Sequence, residues 1–125
     1  MNDRFKFRVW LEYAKLYYGL DSFYYDRLRN KYTFHFEDGH TKTIKEKDCV
    51  IEQCTGLKDK NGRLIYEGDV VEYYNKEIKK TFKEEVLPFR ELKTKGILRH
   101  LITERNAVML AIVGNIHENP ELMEE

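Results

Sequence analysis

The chain has 125 residues, and its 22 Lys plus Arg residues balance 22 Asp plus Glu, giving a formal net charge of zero at pH 7. This length fits one domain or two very small ones that share a core. The balanced charge excludes a global electric field that would draw the protein to nucleic acid or membranes, and a hydrophobic share of 42% disfavours disorder.

The N-terminal segment alternates between apolar and basic residues. Phe5, Phe7 and Val9 fall on one side of residues 4–10, and basic residues fall on the other side. This period of two predicts a half-buried strand. A loop or single helical turn then leads into an apolar strand at 16–18, which we expect to end at Gly19.

The next segments predict a β-meander. Residues 23–28 and 31–37 read as strands paired across Arg29-Asn30, and Asp38-Gly39 forms a hairpin turn into a strand at 41–44. A further strand at 49–55 leads into the centre of the chain.

The central stretch, 55–71, contains two turns separated by a short apolar segment at 64–66. Asn61-Gly62 is the strongest tight-turn dipeptide, because both residues tolerate positive φ. Gly68-Asp69 permits a second change of direction, and we expect the Asp69 carboxylate to accept backbone hydrogen bonds there.

The C-terminal half begins with a strand at 69–75. Residues 76–93 are charged and sparsely periodic, which indicates a long excursion with a short helix near 82–87. Residues 98–103 and 107–113 predict a last hairpin, whose second strand is apolar enough to be buried on both faces. Asn119 is placed to cap a final turn that starts at Pro120.

Three blocks of sequence, at 5–10, 55–71 and 113–122, resemble the YopX family, whose members are small proteins carried mainly by bacteriophages and prophages. The resemblance implies a mainly β protein, with an N-terminal β-meander region (1–55) packed on a C-terminal SH3-like small β-barrel region (56–125) that has a variable excursion at about 76–93. It brings no established enzymatic activity and no catalytic residues. The structural signature residues within the blocks are Gly56, Asn61, Gly62, Tyr66, Gly68, Asp69, Gly114, Asn115, Asn119 and Pro120.

No catalytic or metal-binding constellation is recognisable in the sequence. The four histidines, His35, His40, His100 and His117, are scattered and read as generic surface residues. Cys49 and Cys54 read as reduced thiols, because their spacing suits neither a local disulfide nor a ligand pair. We therefore predict no enzymatic activity, no cofactor and no metal.

Arg4, Lys6 and Arg8 are the candidate nucleic-acid contact. Side chains spaced along one face of a strand can follow a phosphate backbone. The structural alternative, which we favour, is that these residues form the solvent face of an edge strand and guard it against aggregation.

Together with the phage or prophage origin that the resemblance implies, the sequence favours a non-enzymatic accessory protein that acts through protein–protein contacts. Tyrosines alternating along strands must point outward on one face, which suggests a homo-oligomer or a host or phage protein partner. The alternative is a small β-barrel module that binds single-stranded DNA or RNA. The N-terminus has no apolar signal-peptide core and the longest apolar run is too short to span a bilayer, so we expect a soluble protein in the cytoplasm of the bacterial host cell.

Overall fold

The computed structural model describes residues 6–87 and 104–123. Within them lie nine strands, β1 Phe7–Leu11, β2 Leu16–Asp26, β3 Lys31–Phe36, β4 Thr41–Lys45, β5 Cys49–Lys58, β6 Leu64–Tyr66, β7 Asp69–Asn75, β8 Lys80–Glu85 and β9 Ala111–Asn115, together with the short helix α1 Glu104–Ala107 and 3₁₀ turns at Glu46–Asp48 and Pro120–Met123. The predicted mainly β class is confirmed. In the described residues the strands form two antiparallel sheets and no closed barrel, so the SH3-like barrel is not confirmed.

The first sheet has six strands in the order β4-β3-β2-β1-β5-β6. The predicted meander is present as β2, β3 and β4, joined by hairpins. β1 lies in the middle of the sheet, hydrogen-bonded to β2 on one side and to β5 on the other. The interpretation of its basic residues as the guard of an edge strand is therefore wrong, because β1 has no free edge.

One face of this sheet is apolar and rich in aromatic side chains. Val9 and Phe34 are completely buried there, with Leu11, Leu20 and Phe36 beside them. The described residues of this core come from the six-stranded sheet and from the turn after β1. We call this side the aromatic face.

β2 is longer than predicted, because the chain continues through Gly19 instead of ending there. The glycine serves packing, since a Cβ at this position would lie 2.6 Å from the Glu37 carboxyl group. A bulge follows between Leu20 and Ser22. The extra residue keeps both Leu20 and Phe23 on the aromatic face, a spacing that the period of two does not reveal.

The predicted turns at Asp38-Gly39 and Asn61-Gly62 are confirmed. Gly39 has φ of +94° and Gly62 has φ of +83°. The second turn is fixed by Asp59, whose carboxylate accepts the backbone N–H groups of Asn61 and Arg63 at 2.9 Å and of Ile112 at 3.0 Å. Asp59 thus joins the central turn to β9.

β5 runs across the predicted regional boundary at residues 55 and 56. Gly56 has φ of +81°, and the strand register shifts between Cys54 and Lys58. β5 pairs with β1 from Cys49 to Gln53, and its pairing with β6 begins at Cys54 and continues to Lys58. One strand therefore belongs to both predicted regions.

The second sheet has the order β8-β7-β9. The predicted helix near 82–87 is wrong, because residues 80–85 form β8, which pairs with β7 and stacks Phe82 on Tyr73 at 5.4 Å. The predicted strand at 107–113 is also wrong in its first half, where α1 ends at Ala107 and β9 begins at Ala111. The predicted strand at 98–103 lies outside the described residues.

A second core lies between this sheet and β6. Ile65, Val71, Val86, Ala107 and Leu110 are buried in it. β9 is only partly buried, so its predicted burial on both faces is wrong. The apolar run is instead divided between Ala107 at the end of α1, the turn that carries Leu110, and β9, and the first two place residues in this core.

Candidate functional site

A cluster of polar side chains lies on the other face of the six-stranded sheet. Arg8 on β1 donates from Nε to Glu52 Oε1 at 2.9 Å and from Nη2 to Asp69 Oδ1 at 3.0 Å. The same Nη2 donates to the Glu67 carbonyl oxygen at 3.2 Å. The guanidinium lies over the Tyr17 ring, 4.0 Å from its centroid. Arg8 therefore ties the first sheet to the turn between β6 and β7.

His117, after β9, completes the cluster. Its Nε2 lies 3.1 Å from Glu52 Oε2, and its ring stacks on Trp10 with centroids 5.0 Å apart. The Tyr17 hydroxyl donates to Glu52 Oε1 at 2.9 Å. We call Arg8, Tyr17, Glu52, Asp69 and His117 the ion-pair cluster.

The ion-pair cluster is largely shielded from solvent. The Arg8 and His117 side chains are 16% exposed, and those of Glu52 and Asp69 are 5% exposed. Burial raises the pKa of Asp69, although the positive charge of Arg8 opposes that change. Burial alone would lower the pKa of Arg8, but the Asp69 and Glu52 carboxylates raise it overall, so Arg8 stays charged.

Tyr17 is a hydrogen-bond donor and not a base in this setting. Burial raises the pKa of its hydroxyl well above the ordinary value, although the positive charge of Arg8 opposes that change. Among the described residues, no buried side-chain nitrogen or oxygen lacks a hydrogen-bond partner. The cluster is thus internally satisfied, which is how buried charges are stabilised in proteins.

An open groove of about 720 Å³ lies beyond the free edge of β5. On one side it is lined by the aromatic face, and on the other by the β6–β7 turn and the ends of β8 and β9. We call it the β5 groove. Its described lining residues are Phe7, Phe23, Tyr32, Glu46, Cys49, Val50, Ile51, Glu52, Gln53, Glu67, Gly68, Glu85 and Ile116. Its volume lies within the range of about 300–1,000 Å³ that is typical of binding clefts.

The described residues contain no group of His, Cys, Asp or Glu side chains that could hold a metal ion. Both cysteines are free thiols, and burial raises the pKa of Cys49 to about 11. A thiol with so high a pKa is a poor nucleophile at neutral pH. In residues 6–87 and 104–123, no helix has the length and apolar character needed to cross a membrane.

Two glycines that the sequence singles out make room for side chains that pack closely against them. A Cβ on Gly68, whose φ is +88°, would lie 2.1 Å from Glu52 Oε2. A Cβ on Gly114 would lie 2.6 Å from Asn119 Oδ1. Both positions require glycine, the first to let Glu52 approach the turn and the second to let the closing turn fold back.

Three other signature residues, Tyr66, Asp69 and Asn115, form hydrogen bonds or ring contacts near the ion-pair cluster. Asp69 accepts the Tyr66 N–H at 2.8 Å, which confirms the predicted role of its carboxylate in the turn, and the Tyr66 ring lies 4.7 Å from the Arg8 guanidinium. Asn115 Oδ1 accepts the N–H groups of His117 and Glu118 at 3.1 and 2.8 Å. These bonds fold the segment after β9 so that His117 reaches Glu52.

Three separated parts of the sequence therefore meet at one point. Arg8 and Trp10 come from residues 5–10, Asp69 comes from 55–71, and His117 comes from 113–122. A family model described as "YopX protein" matches residues 6–124. The chain belongs to the YopX family.

One solved structure similar to this YopX-family chain is the crystal structure of protein EF1440 from Enterococcus faecalis. The two sequences are 27% identical, the match covers 95% of this chain and 97% of the other, and the TM-score is 0.65. No match is found among curated proteins. The likeness thus extends over almost the whole chain.

The candidate nucleic-acid contact does not form one exposed surface in the YopX-family chain. Arg8 is held in the ion-pair cluster, Lys6 is exposed, and Arg4 lies outside the described residues. The nucleic-acid contact itself stays a prediction, with Lys6 as its exposed described member.

Sequence reasoning missed Glu52 and misread His117. The latter is shielded, not a surface histidine as predicted, whereas His35 and His40 are exposed and His100 lies outside the described residues. One signal could have found Glu52, because it is the single charged residue between Cys49 and Leu57. The Asn119 side chain accepts the Asn115 N–H at 3.3 Å, a contact within the closing turn that the predicted cap does not include.

Proposed function

We propose that this YopX-family chain is a non-enzymatic phage or prophage accessory protein that acts in the bacterial host cytoplasm by binding another protein. The observation that carries the proposal is the β5 groove, an open cleft of about 720 Å³ beside a sheet edge. Clefts lined by aromatic side chains with a few polar groups are characteristic binding sites.

The chemistry of the ion-pair cluster supports binding over catalysis. Its carboxylates already accept hydrogen bonds from Arg8 and Tyr17, and its histidine faces Glu52. A general base or nucleophile needs a lone pair directed at a substrate. In the cluster these groups are directed at one another, so its role is to hold the sequence blocks together.

Site-specific photo-cross-linking tests the proposal in the bacterium that carries the gene. Val50 lines the β5 groove and is 43% exposed, which suits its replacement by p-benzoylphenylalanine. Leu28 is the matched control, because it is 94% exposed and is not among the groove residues. We expect protein adducts, identified by mass spectrometry, from position 50 and not from position 28. No excess of adducts at position 50 would overturn the proposal.

Self-association is a separate proposal, supported by tyrosines on the surface. Tyr24 and Tyr74 are 59% and 52% exposed. Tyrosine provides a large contact area at low entropic cost, so such residues suit subunit contacts. Light scattering at tens of micromolar protein tests this, and a strict monomer would remove the homo-oligomer from the proposal.

A further inference from the structure

We infer that the β5 groove binds an extended, basic peptide segment, which adds to the sheet as a strand along the edge of β5. The inference rests on the proposed function and specifies the chemistry of the partner. Addition of a strand to a sheet edge is a recurring mode of peptide recognition, in which backbone hydrogen bonds supply affinity and alternate side chains supply specificity.

The backbone of β5 presents an open edge beside the groove. Cys54 N donates to Lys6 O, and Glu12 N donates to Asp48 O, so the even-numbered residues of this segment bond with β1. In an antiparallel ladder the intervening residues point their N–H and C=O groups the other way. The backbone N–H and C=O groups of Cys49 and Ile51 therefore point away from β1.

β6 does not cover this part of β5, because its pairing begins at Cys54. Glu67 occupies the edge at Gln53, where its N–H donates to the Gln53 carbonyl oxygen and its carboxylate accepts the Gln53 N–H, both at 3.0 Å. No described residue hydrogen-bonds with the backbone of Ile51. The open edge thus covers residues 49–52, about 13 Å of strand.

The side chains beside this edge supply an apolar floor. Ile51 is half-buried on the aromatic face, where Phe7, Phe23 and Tyr32 also line the groove. A strand added to β5 would direct every second side chain onto this floor. The floor therefore favours a segment with apolar residues at alternate positions.

The negative charge of the groove favours basic residues at the other alternate positions of the bound segment. Glu46 and Glu67 line it, and none of its described lining residues is basic. Glu52 is already paired with Arg8 and adds little to the net charge. The carboxylates of Glu46 and Glu67 favour Lys or Arg in the partner, since complementary charge steers association and excludes wrong partners.

The same charges disfavour two other occupants. A second copy paired with β5 by a twofold axis would bring the carboxylates of one groove against those of the other, because a twofold interface is self-complementary. A single-stranded nucleic acid would place its phosphates against them. A basic protein segment meets neither repulsion.

Binding of synthetic peptides to the full chain tests the inference. The probe is a fluorescein-labelled eight-residue peptide in which Lys and Val alternate. One comparison peptide has Glu in place of each Lys, and a second keeps Lys but carries N-methyl groups at alternate backbone nitrogens. We expect anisotropy titrations to show at least about tenfold weaker binding of both comparison peptides, because the first reverses the charge and the second removes the ladder donors.

Protein variants locate the binding to the groove. Glu46→Lys should weaken binding of the Lys-Val peptide by about two- to fivefold, the usual range for an exposed charge pair. Glu77→Lys is the matched control, since Glu77 is exposed in the β7–β8 turn and is not among the groove residues. In ¹⁵N NMR spectra, the amide of Ile51 should show one of the largest shifts on binding.

Equal binding of the Lys and Glu peptides, or no response of the Ile51 amide, would overturn the inference. So would binding of a fifteen-residue oligothymidine that competes with the peptide, or a dimer that the peptide dissociates, because either result would assign the groove to a different occupant. If these results came with protein adducts at position 50, the proposed function would stand without the added strand. Absence of both adducts and peptide binding would remove both proposals.

Discussion

The ion-pair cluster and the β5 groove share β5, whose successive residues Ile51 and Glu52 point to opposite faces of the sheet. Glu52 points to the cluster, where Arg8, Tyr17 and His117 surround it. Ile51 points to the aromatic face beside the groove, where its backbone meets an open edge. Strand alternation thus separates a closed polar contact, which holds the fold together, from an open surface that is free to bind.

The largest loss of stability should result from Arg8→Leu, which removes the cation of the ion-pair cluster. The change leaves the Glu52 and Asp69 carboxylates buried without their cation, and breaking a buried ion pair in this way costs about 3–5 kcal/mol. Chemical denaturation at pH 7 measures the loss. Arg29→Leu is the control, because its ion pair with Asp26 is exposed and should contribute little. Similar losses for both variants would show that burial does not distinguish the cluster.

The stability of the Arg8→Leu variant should also change with pH in a defined direction. Burial raises the pKa of Asp69, so this group binds its proton more tightly in the folded chain than in the unfolded chain, and its contribution to stability falls as pH rises. Without Arg8 the main opposing influence on the pKa of Asp69 is gone, and the Tyr66 N–H offsets only part of the effect of burial. Arg8→Leu should therefore recover part of its lost stability between neutral pH and about pH 4. A loss that stays constant or grows toward acid pH would contradict this assignment.

A smaller effect, about 2–3 kcal/mol, is expected for Asp59→Ala. The substitution removes a buried carboxylate that accepts three backbone N–H groups. Burial opposes ionisation of Asp59, but these N–H groups lower its pKa overall, so its stabilising effect is present at neutral pH and is lost as pH falls through the lowered pKa. Thermal unfolding of Asp59→Ala should thus be less sensitive to acid than that of the parent protein.

Asp38→Ala provides the matched control for Asp59→Ala. Asp38 also accepts a backbone N–H in a hairpin turn, from His40, but it is exposed. Its removal should lower the melting temperature much less. Equal effects would show that the link from Asp59 to β9 does not stabilise the fold.

Gly62→Val should destabilise the protein by about 1 kcal/mol or more. Gly62 has φ of +83°, a conformation that a β-branched residue adopts only with strain. Because nothing lies within 4 Å of the added Cβ, the cost is one of backbone conformation and not of space. Gly62→Asn is the control, since Asn tolerates positive φ and should lower the melting temperature less. An unchanged melting temperature for Gly62→Val would contradict the turn geometry.

The smallest effect on stability should come from a substitution in the β5 groove. Glu46 is exposed at the groove, so Glu46→Lys should leave the melting temperature within measurement error while it weakens peptide binding. This outcome would sharpen the contrast with Arg8, where stability is expected to change most. A large drop in melting temperature would show that the groove residue also stabilises the fold.

Local chemistry was enough to predict the strands and turns that depend on it. Asp38-Gly39 and Asn61-Gly62 form the expected reversals, and the alternation in residues 4–10 separates the two sides of β1 correctly. The error at Gly19 has a physical reason, because this glycine makes room for Glu37, a residue distant in sequence. β8 was missed because its residues are largely polar, and its pairing with β7 supplies the order that its own pattern lacks.

The site could be predicted only in part, because the period of a strand shows which residues share a face but not what covers that face. The sequence separates Arg8 from Phe7 and Val9, yet only the folded chain brings Asp69 and His117 over it. The β5 groove is less predictable still. It depends on where β6 stops pairing with β5, which is not encoded in a local pattern.

Trp10 gives the molecule a built-in optical probe. It is the only tryptophan in the chain, and its indole lies against the imidazole of His117, which follows the last strand. Its fluorescence emission therefore reports whether the C-terminal segment is seated on the first strand. A change in that emission before the loss of the far-ultraviolet circular dichroism signal would reveal detachment of this segment as a separate step of unfolding.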